Sequence, residues 1–235
     1  YTVINSVHSV NVDTVSRAGC GSTPTGSPIS SEIYTPTYAT LTLAGIMTTM
    51  RYLPHATLLQ DGRVLATGGF NAHNVNLSSA EIYNQSSSQW SVADSMSVSR
   101  FGHTSSLLND GRVLVTGGQA NSNNFLKSTE IYDPKTNAWN QADNLSITRF
   151  GHTATLLPDG KVLVIGGVNA DAALATAEIY DPINNKWESV ASMNKSRLYH
   201  TATLLSNNKI LVTGGVTENQ GNFTPTNTTE IYDLV

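Results

Sequence analysis

Cysteine is almost missing: Cys20 is the only one in 235 residues. That excludes an internal disulfide and any cysteine-built zinc site, and leaves an inert or partly buried thiol as the expected role. Charge is also scarce, at 13% of residues with a net charge of −4. No basic patch stands out, so attraction to nucleic acid has no electrostatic support. The longest apolar runs, such as Val162–Ile165, are strand-length and far short of a membrane span. The chain opens on Tyr1 without Met or a signal-like stretch, so residue 1 is expected to be a processed terminus or an excised start. No helical period appears in any window.

What is present is repetition. Glycine doublets lie at Gly68–Gly69, Gly117–Gly118, Gly166–Gly167 and Gly214–Gly215, stepping by 49, 49 and 48 residues. Arg51, Arg100, Arg149 and Arg197 keep the same step, and Glu-Ile-Tyr recurs at Glu32, Glu81, Glu130, Glu178 and Glu230. A repeat of this length must be one supersecondary unit that buries its apolar faces against its neighbours. In "RFGHTATLLPDGKVLVIGG" (149–167), strand A is expected at His152–Leu157, a Pro158-Asp159-Gly160 turn next, and strand B at Lys161–Ile165. Strand B is near-continuously apolar and reads as buried on both faces. Strand C is expected at Ala177–Tyr180, closed by Asp181-Pro182, and strand D from Trp187 to near Met193. Four strands every 48–49 residues describe one propeller blade.

Three of the doublets are followed by a Tyr and a Trp separated by six residues: Tyr83 and Trp90, Tyr132 and Trp139, Tyr180 and Trp187. On these marks residues 31–235 resemble the kelch repeat, most closely the galactose-oxidase-type and bacterial kelch proteins. The resemblance implies an all-β, kelch-type β-propeller of four-stranded antiparallel blades, with strand A innermost and strand D outermost. The expected organisation is one domain, 1–235. Residues 1–47 form a closing strand and a degenerate blade, 48–97, 98–145 and 146–193 are full blades, and 194–235 is an incomplete one. Five blades are expected, with Tyr1–Val7 supplying the missing D strand; the alternative is a fragment of a six- or seven-bladed ring. Leu41 stands where Trp is expected in the degenerate blade. Tyr and Trp are expected to pack between adjacent blades. The repeated Arg and Glu are expected to be structural, paired within or between blades.

The histidines pose the functional question. His103, His152 and His200 recur in register, whereas Pro54 takes that place in the first blade and His55 falls one position later. A residue recurring because the blade recurs is expected to be a packing element, hydrogen-bonded between neighbours. The resemblance to galactose oxidase implies an enzymatic alternative, a copper radical oxidase, for which Tyr199 and His200 match a Tyr-His pair opening an A strand. Gly102, Gly151 and Pro54 stand where the crosslinked Tyr would lie, Cys20 lacks the expected flanks, and His8, His73 and His103 have no matching motif. A small-sugar isomerase is the other enzymatic alternative, with no motif to carry it. No cofactor is expected.

Variation between repeats concentrates in the B–C segments Phe70–Ser79, Gln119–Ser128, Val168–Thr176 and Val216–Thr228. Variable loops on a rigid scaffold are where binding residues gather. The candidates are Asn71, His73, Asn121, Asn123, Asn124, Phe125, Asn169, Asp171, Asn219, Asn222 and Phe223, with Asn74 and Gln220 beside them. Amides and aromatic rings suit a protein or glycan ligand. The expected function is therefore a non-catalytic extracellular or cell-surface interaction module. Self-assembly through an open blade edge near Tyr232 is a further expectation. Asn-x-Ser/Thr sequons at Asn76, Asn84, Asn144, Asn194, Asn222 and Asn227 are in keeping with that location.

Overall fold

A computed structural model describes residues 15–17, 30–35, 40–121, 124–219 and 221–233. These residues form strands and turns, with no helix among them, so none can cross a membrane as an apolar helix. They fall into two compact units, one up to Phe101 and the other from Gly102.

In the first unit, β1 (Val15–Arg17), β2 (Ser30–Thr35) and β3 (Thr40–Ile46) form an antiparallel sheet in that order. Strands β2 and β3 are the expected C and D strands of the degenerate blade, and Tyr34 pairs with Leu41 where the other blades pair Tyr with Trp. Next comes a four-stranded sheet of β4 (His55–Leu58), β5 (Val64–Thr67), β6 (Ala80–Asn84) and β7 (Gln89–Ala93). Tyr1–Val7, His8 and Cys20 lie outside the described residues.

The second unit begins with a sheet of β8 (Thr104–Leu107), β9 (Val113–Thr116), β10 (Thr129–Asp133) and β11 (Ala138–Gln141). Its successor holds β12 (Thr153–Leu156), β13 (Val162–Ile165), β14 (Ala177–Asp181) and β15 (Lys186–Val190). The last blade has β16 (Thr201–Leu204), β17 (Lys209–Thr213) and β20 (Thr229–Asp233), with no D strand among the described residues. Between β17 and β20 the chain forms a hairpin of β18 (Val216–Asn219) and β19 (Asn222–Pro225). This corrects the reading of Val216–Thr228 as a loop. Val216, Thr217, Phe223 and Thr224 favour extended backbone, and Gly221 supplies a φ of +79° at the turn.

Each blade is wound from local signals. In β12–β13 the Gly160 N–H donates to the Leu157 carbonyl and the Leu157 N–H to the Lys161 carbonyl, closing the hairpin. The B strands β5, β9 and β13 are buried at every residue, as their near-continuous apolar character predicts. Tyr180 faces Trp187 across the C–D ladder, their rings 5.0 Å apart, and Tyr132 and Trp139 repeat this. The expected packing of these rings between blades is thus only half the account. They pair within a blade first; Tyr180 then joins one buried apolar cluster with Leu108, Leu114 and Ile131 of the preceding blade, and Trp187 Nε1 donates to the Asp143 carbonyl.

The repeated arginines hold each blade at its entry. Arg149 is fully buried; its Nη1 donates to the Gly166 and Thr176 carbonyls, and its Nη2 to Thr176 Oγ1 and to Glu178 Oε1 at 2.7 Å. Glu178 Oε2 accepts from the Ser146 N–H at 2.8 Å. Arg51 makes the same set with Gly68, Ser79 and Glu81, and Arg197 with Gly214, Thr228 and Glu230. The main chain of the same residue belongs to the blade before: the Arg149 carbonyl accepts from Gly118 N–H and the Arg197 carbonyl from Gly167 N–H. Only glycine fits this approach. At Gly166 (φ +67°) a Cβ would lie 2.5 Å from the Arg197 oxygen and 2.8 Å from His200 Cε1.

Arg149→Ala is expected to lower unfolding stability by about 3–5 kcal/mol, because it strands the buried Glu178 carboxylate. Lys161→Ala breaks only the exposed pair with Asp159, so its cost is at most about 1 kcal/mol. Denaturant midpoints of the two variants, measured side by side, check the contrast.

Candidate functional site

The segment between one blade's D strand and the next A strand is stitched to the start of a B–C segment. In the first unit, Tyr52 and Phe70 exchange two backbone hydrogen bonds, and their rings stack at 5.3 Å with 14° between planes. Phe70 meets Phe101 edge-on at 5.4 Å. In the second unit, Phe150 pairs with Val168 and Leu198 with Val216 in the same way. There the rings of Phe125, Phe150 and Tyr199 form an edge-to-face row, with centroid spacings of 6.2 and 5.7 Å. Edge-to-face contact is the preferred aromatic geometry, and it leaves ring faces open. Each unit thus carries an aromatic rim on its B–C side.

Tyr199 has the position that glycine holds in the preceding repeats. Gly102, Gly151 and Tyr199 have φ of +60°, +64° and +53°, and Leu53 has +50° in the first unit. The Phe150 ring lies where a Cβ on Gly102 would stand, and the Tyr199 ring covers Gly151. Glycine at 102 and 151 therefore makes room for the next ring. Tyr199 itself is 59% exposed and Leu53 37%.

The loop candidates divide into turn-builders and surface groups. Asn71 Oδ1 accepts from the His73 and Val75 N–H groups, and Asn169 Oδ1 from those of Asp171 and Ala172. Both amides shape their loops. The Asn124 N–H donates to the Asn121 carbonyl, and both residues are exposed. His73 and Asp171 are exposed, and Phe125 is half-buried on the ring row. Asn219 and Asn222 pair beside the turn of the β18–β19 hairpin, and Phe223 is 51% exposed. Asn123 and Gln220 lie outside the described residues. Sequence reasoning passed over Tyr52, Leu53, Phe70, Phe101 and Phe150 as rim residues, and Tyr199 except as a copper candidate. The signal available was the replacement of a repeat glycine by Leu53 and Tyr199.

The histidines link blades. His152 Nε2 lies 3.0 Å from Thr104 Oγ1, and His200 Nε2 2.9 Å from Thr153 Oγ1, so each ring reaches the threonine that opens the preceding A strand. His103, His152 and His200 are all buried, as is Pro54 in the corresponding place. Burial pushes the His200 pKa down to about 4, and the nearby Arg197 charge adds to it. Tyr199 and His200, the copper pair of the enzymatic alternative, have opposite surroundings: one ring faces solvent, the other is enclosed. Among the described residues no three His, Cys, Asp or Glu side chains gather as a metal site. On the hairpin side of the second unit, a shallow pocket is lined by Asp110, Gly111, Arg112, Asp133, Pro134 and Lys135, and Arg112 Nη2 is ion-paired with Asp110 at 2.6 Å.

Residues 30–215 match the family described as the KLHDC2/KLHL20/DRC7 Kelch-repeats domain. No curated protein matches the chain.

A depressed histidine pKa sets a pH dependence. Between about 4 and the ordinary 6.5 the unfolded chain binds the proton more readily than the folded one. Stability from His200 is therefore complete above pH 6.5 and is lost as pH falls toward 4. A His200 ring resonance titrating near 4, and a shallower acid loss of thermal stability in His200→Asn, are the expected readings.

Proposed function

The chain belongs to the kelch-repeat family, whose repeats generally mediate protein–protein interaction and are typically non-enzymatic, and on that premise we propose that it binds a partner protein through the aromatic rims on its B–C side. The carrying observation is where exposed apolar side chains gather. Of the nine exposed large apolar side chains among the described residues, Met50, Leu53, Val75, Tyr199 and Phe223 lie in inter-blade connectors or B–C segments, whereas Ile46, Val92, Ile183 and Ile231 stand singly on β3, β7, the β14–β15 turn and β20. Exposed apolar groups clustered beside variable loops mark interaction surfaces, whereas scattered single ones do not. The buried, threonine-bonded histidines favour this reading over copper chemistry.

Selection of random peptides on the wild-type protein tests it. Enriched peptides are expected to lose at least ten-fold in affinity to Tyr199→Gly/Phe223→Ser or to Leu53→Gly/Val75→Ser. They are expected to bind Arg112→Ser/Lys135→Ser, on the hairpin side, unchanged. Equal binding to all three, or binding to arrayed glycans alone, would transfer the function elsewhere.

An extracellular or cell-surface location is part of the proposal, supported by exposed sequon asparagines at 84, 144, 194, 222 and 227. An endoglycosidase mobility shift on protein from a secreting host checks it. Self-assembly would use β20, an edge strand of its sheet; a mass independent of concentration counts against that.

A further inference from the structure

Resting on the interaction reading above, we propose that the rim of the Gly102–Val235 unit seats a lysine or arginine side chain presented by an extended segment of the partner protein. The ring faces come first. Tyr199 has a left-handed backbone, at φ +53°, where the two preceding repeats use glycine. A side chain there carries a conformational cost that glycine escapes. The ring is 59% exposed, so burial offsets little of that cost. Strain kept on a ring whose packing is limited to Gly151 and an edge contact with Phe150 marks a functional position. An open tyrosine face flanked by another ring suits a cation.

The charges decide which partner fits. In this unit Asp110, Asp143, Asp159, Glu178, Glu230 and Asp233 each have a basic partner within 4 Å. Glu218 and Asp171, both at the rim, have no cation partner among the described residues. Glu218 Oε2 accepts from the Ala173 N–H at 2.6 Å; Ala173 pairs with Val168, which pairs with Phe150. From the other side, Val216 of the same strand pairs with Leu198, the residue before Tyr199. Phe223 lies directly across the hairpin from Glu218, so the two side chains share one face. Two exposed rings and an unneutralised carboxylate thus lie on backbone segments bridged to one another at one edge. Of the exposed lysines nearby, Lys195 belongs to a D-strand exit, where its N–H donates to Glu230, and Lys127 lies at the end of the B–C segment Gln119–Ser128, where its carbonyl accepts from the Leu145 N–H. An acidic segment would be repelled, and an apolar one would cover Glu218 without replacing its water.

Labelled nonapeptides with a Ser/Ala frame and a central Arg, Lys, Gln or Glu, measured by fluorescence anisotropy at physiological salt, test the assignment. The Arg and Lys peptides are expected to bind at least ten-fold tighter than the others. That preference is expected to vanish in Glu218→Gln and in Tyr199→Gly, the latter with an unchanged or raised melting temperature. Glu188→Gln is the control, since Glu188 is another carboxylate without a cation partner among the described residues, away from the rim on β15. Equal loss in Glu188→Gln would reduce the effect to net charge and overturn the proposal. Rim-dependent peptides selected without enrichment in Lys or Arg would also overturn it, while leaving the interaction reading in place. Absence of any rim-dependent peptide would overturn both.

Discussion

A guanidinium removed from water must find partners for its donors, and in this chain that demand organises three repeat entries. Arg51, Arg149 and Arg197 are completely inaccessible, and each answers the demand with one carboxylate, two carbonyls and a hydroxyl. The carboxylate then turns its second oxygen to the backbone of the incoming connector, at Thr48, Ser146 or Asn194. Burial of such a pair yields little net stability against an apolar substitute, but loss of one partner is severe. The return is positional. Because the same arginine lends its carbonyl to the preceding doublet, two blades are registered by one residue, and the 48–49-residue step follows.

Much of this was legible before any coordinates. The doublets, the Glu-Ile-Tyr triplets and the Tyr–Trp spacing placed the strands of three blades, because hairpin and ladder chemistry is local. The C and D strands of the degenerate blade were legible despite Leu41, since the Tyr34–Leu41 pairing depends on backbone register. What escaped were features decided by residues far apart in the chain. The ring row joins Phe125, Phe150 and Tyr199 from three connections, and no window of sequence contains it. The β18–β19 hairpin escaped for another reason: amides and glycine inside a variable segment look like loop composition.

The loop asparagines show where composition stops being informative. Asn71 and Asn169 were expected at the binding surface because amides can donate and accept. In the structure their acceptor oxygens close turns, a role that the residue type alone does not distinguish from recognition. Tyr199 and His200 make the converse point. Adjacent in sequence and suggestive of one metal site, they diverge because the left-handed backbone at Tyr199 turns its ring outward while the next ring enters the wall.

The arginine clamp also governs what the B–C segments are free to become. In each case Nη1 holds the carbonyl of the first doublet glycine, two residues before the segment, and the last carbonyl within it: Gly68 with Ser79, Gly166 with Thr176, Gly214 with Thr228. The two ends of the excursion are therefore fixed by the frame, whatever lies between. Lengthening a closed loop costs only about 0.6 kcal/mol per doubling. Val168–Thr176 and the hairpin-bearing Val216–Thr228 already occupy the same socket. The clamp makes each B–C segment an exchangeable cassette, where sequence and length can drift while the sheets beneath keep their register.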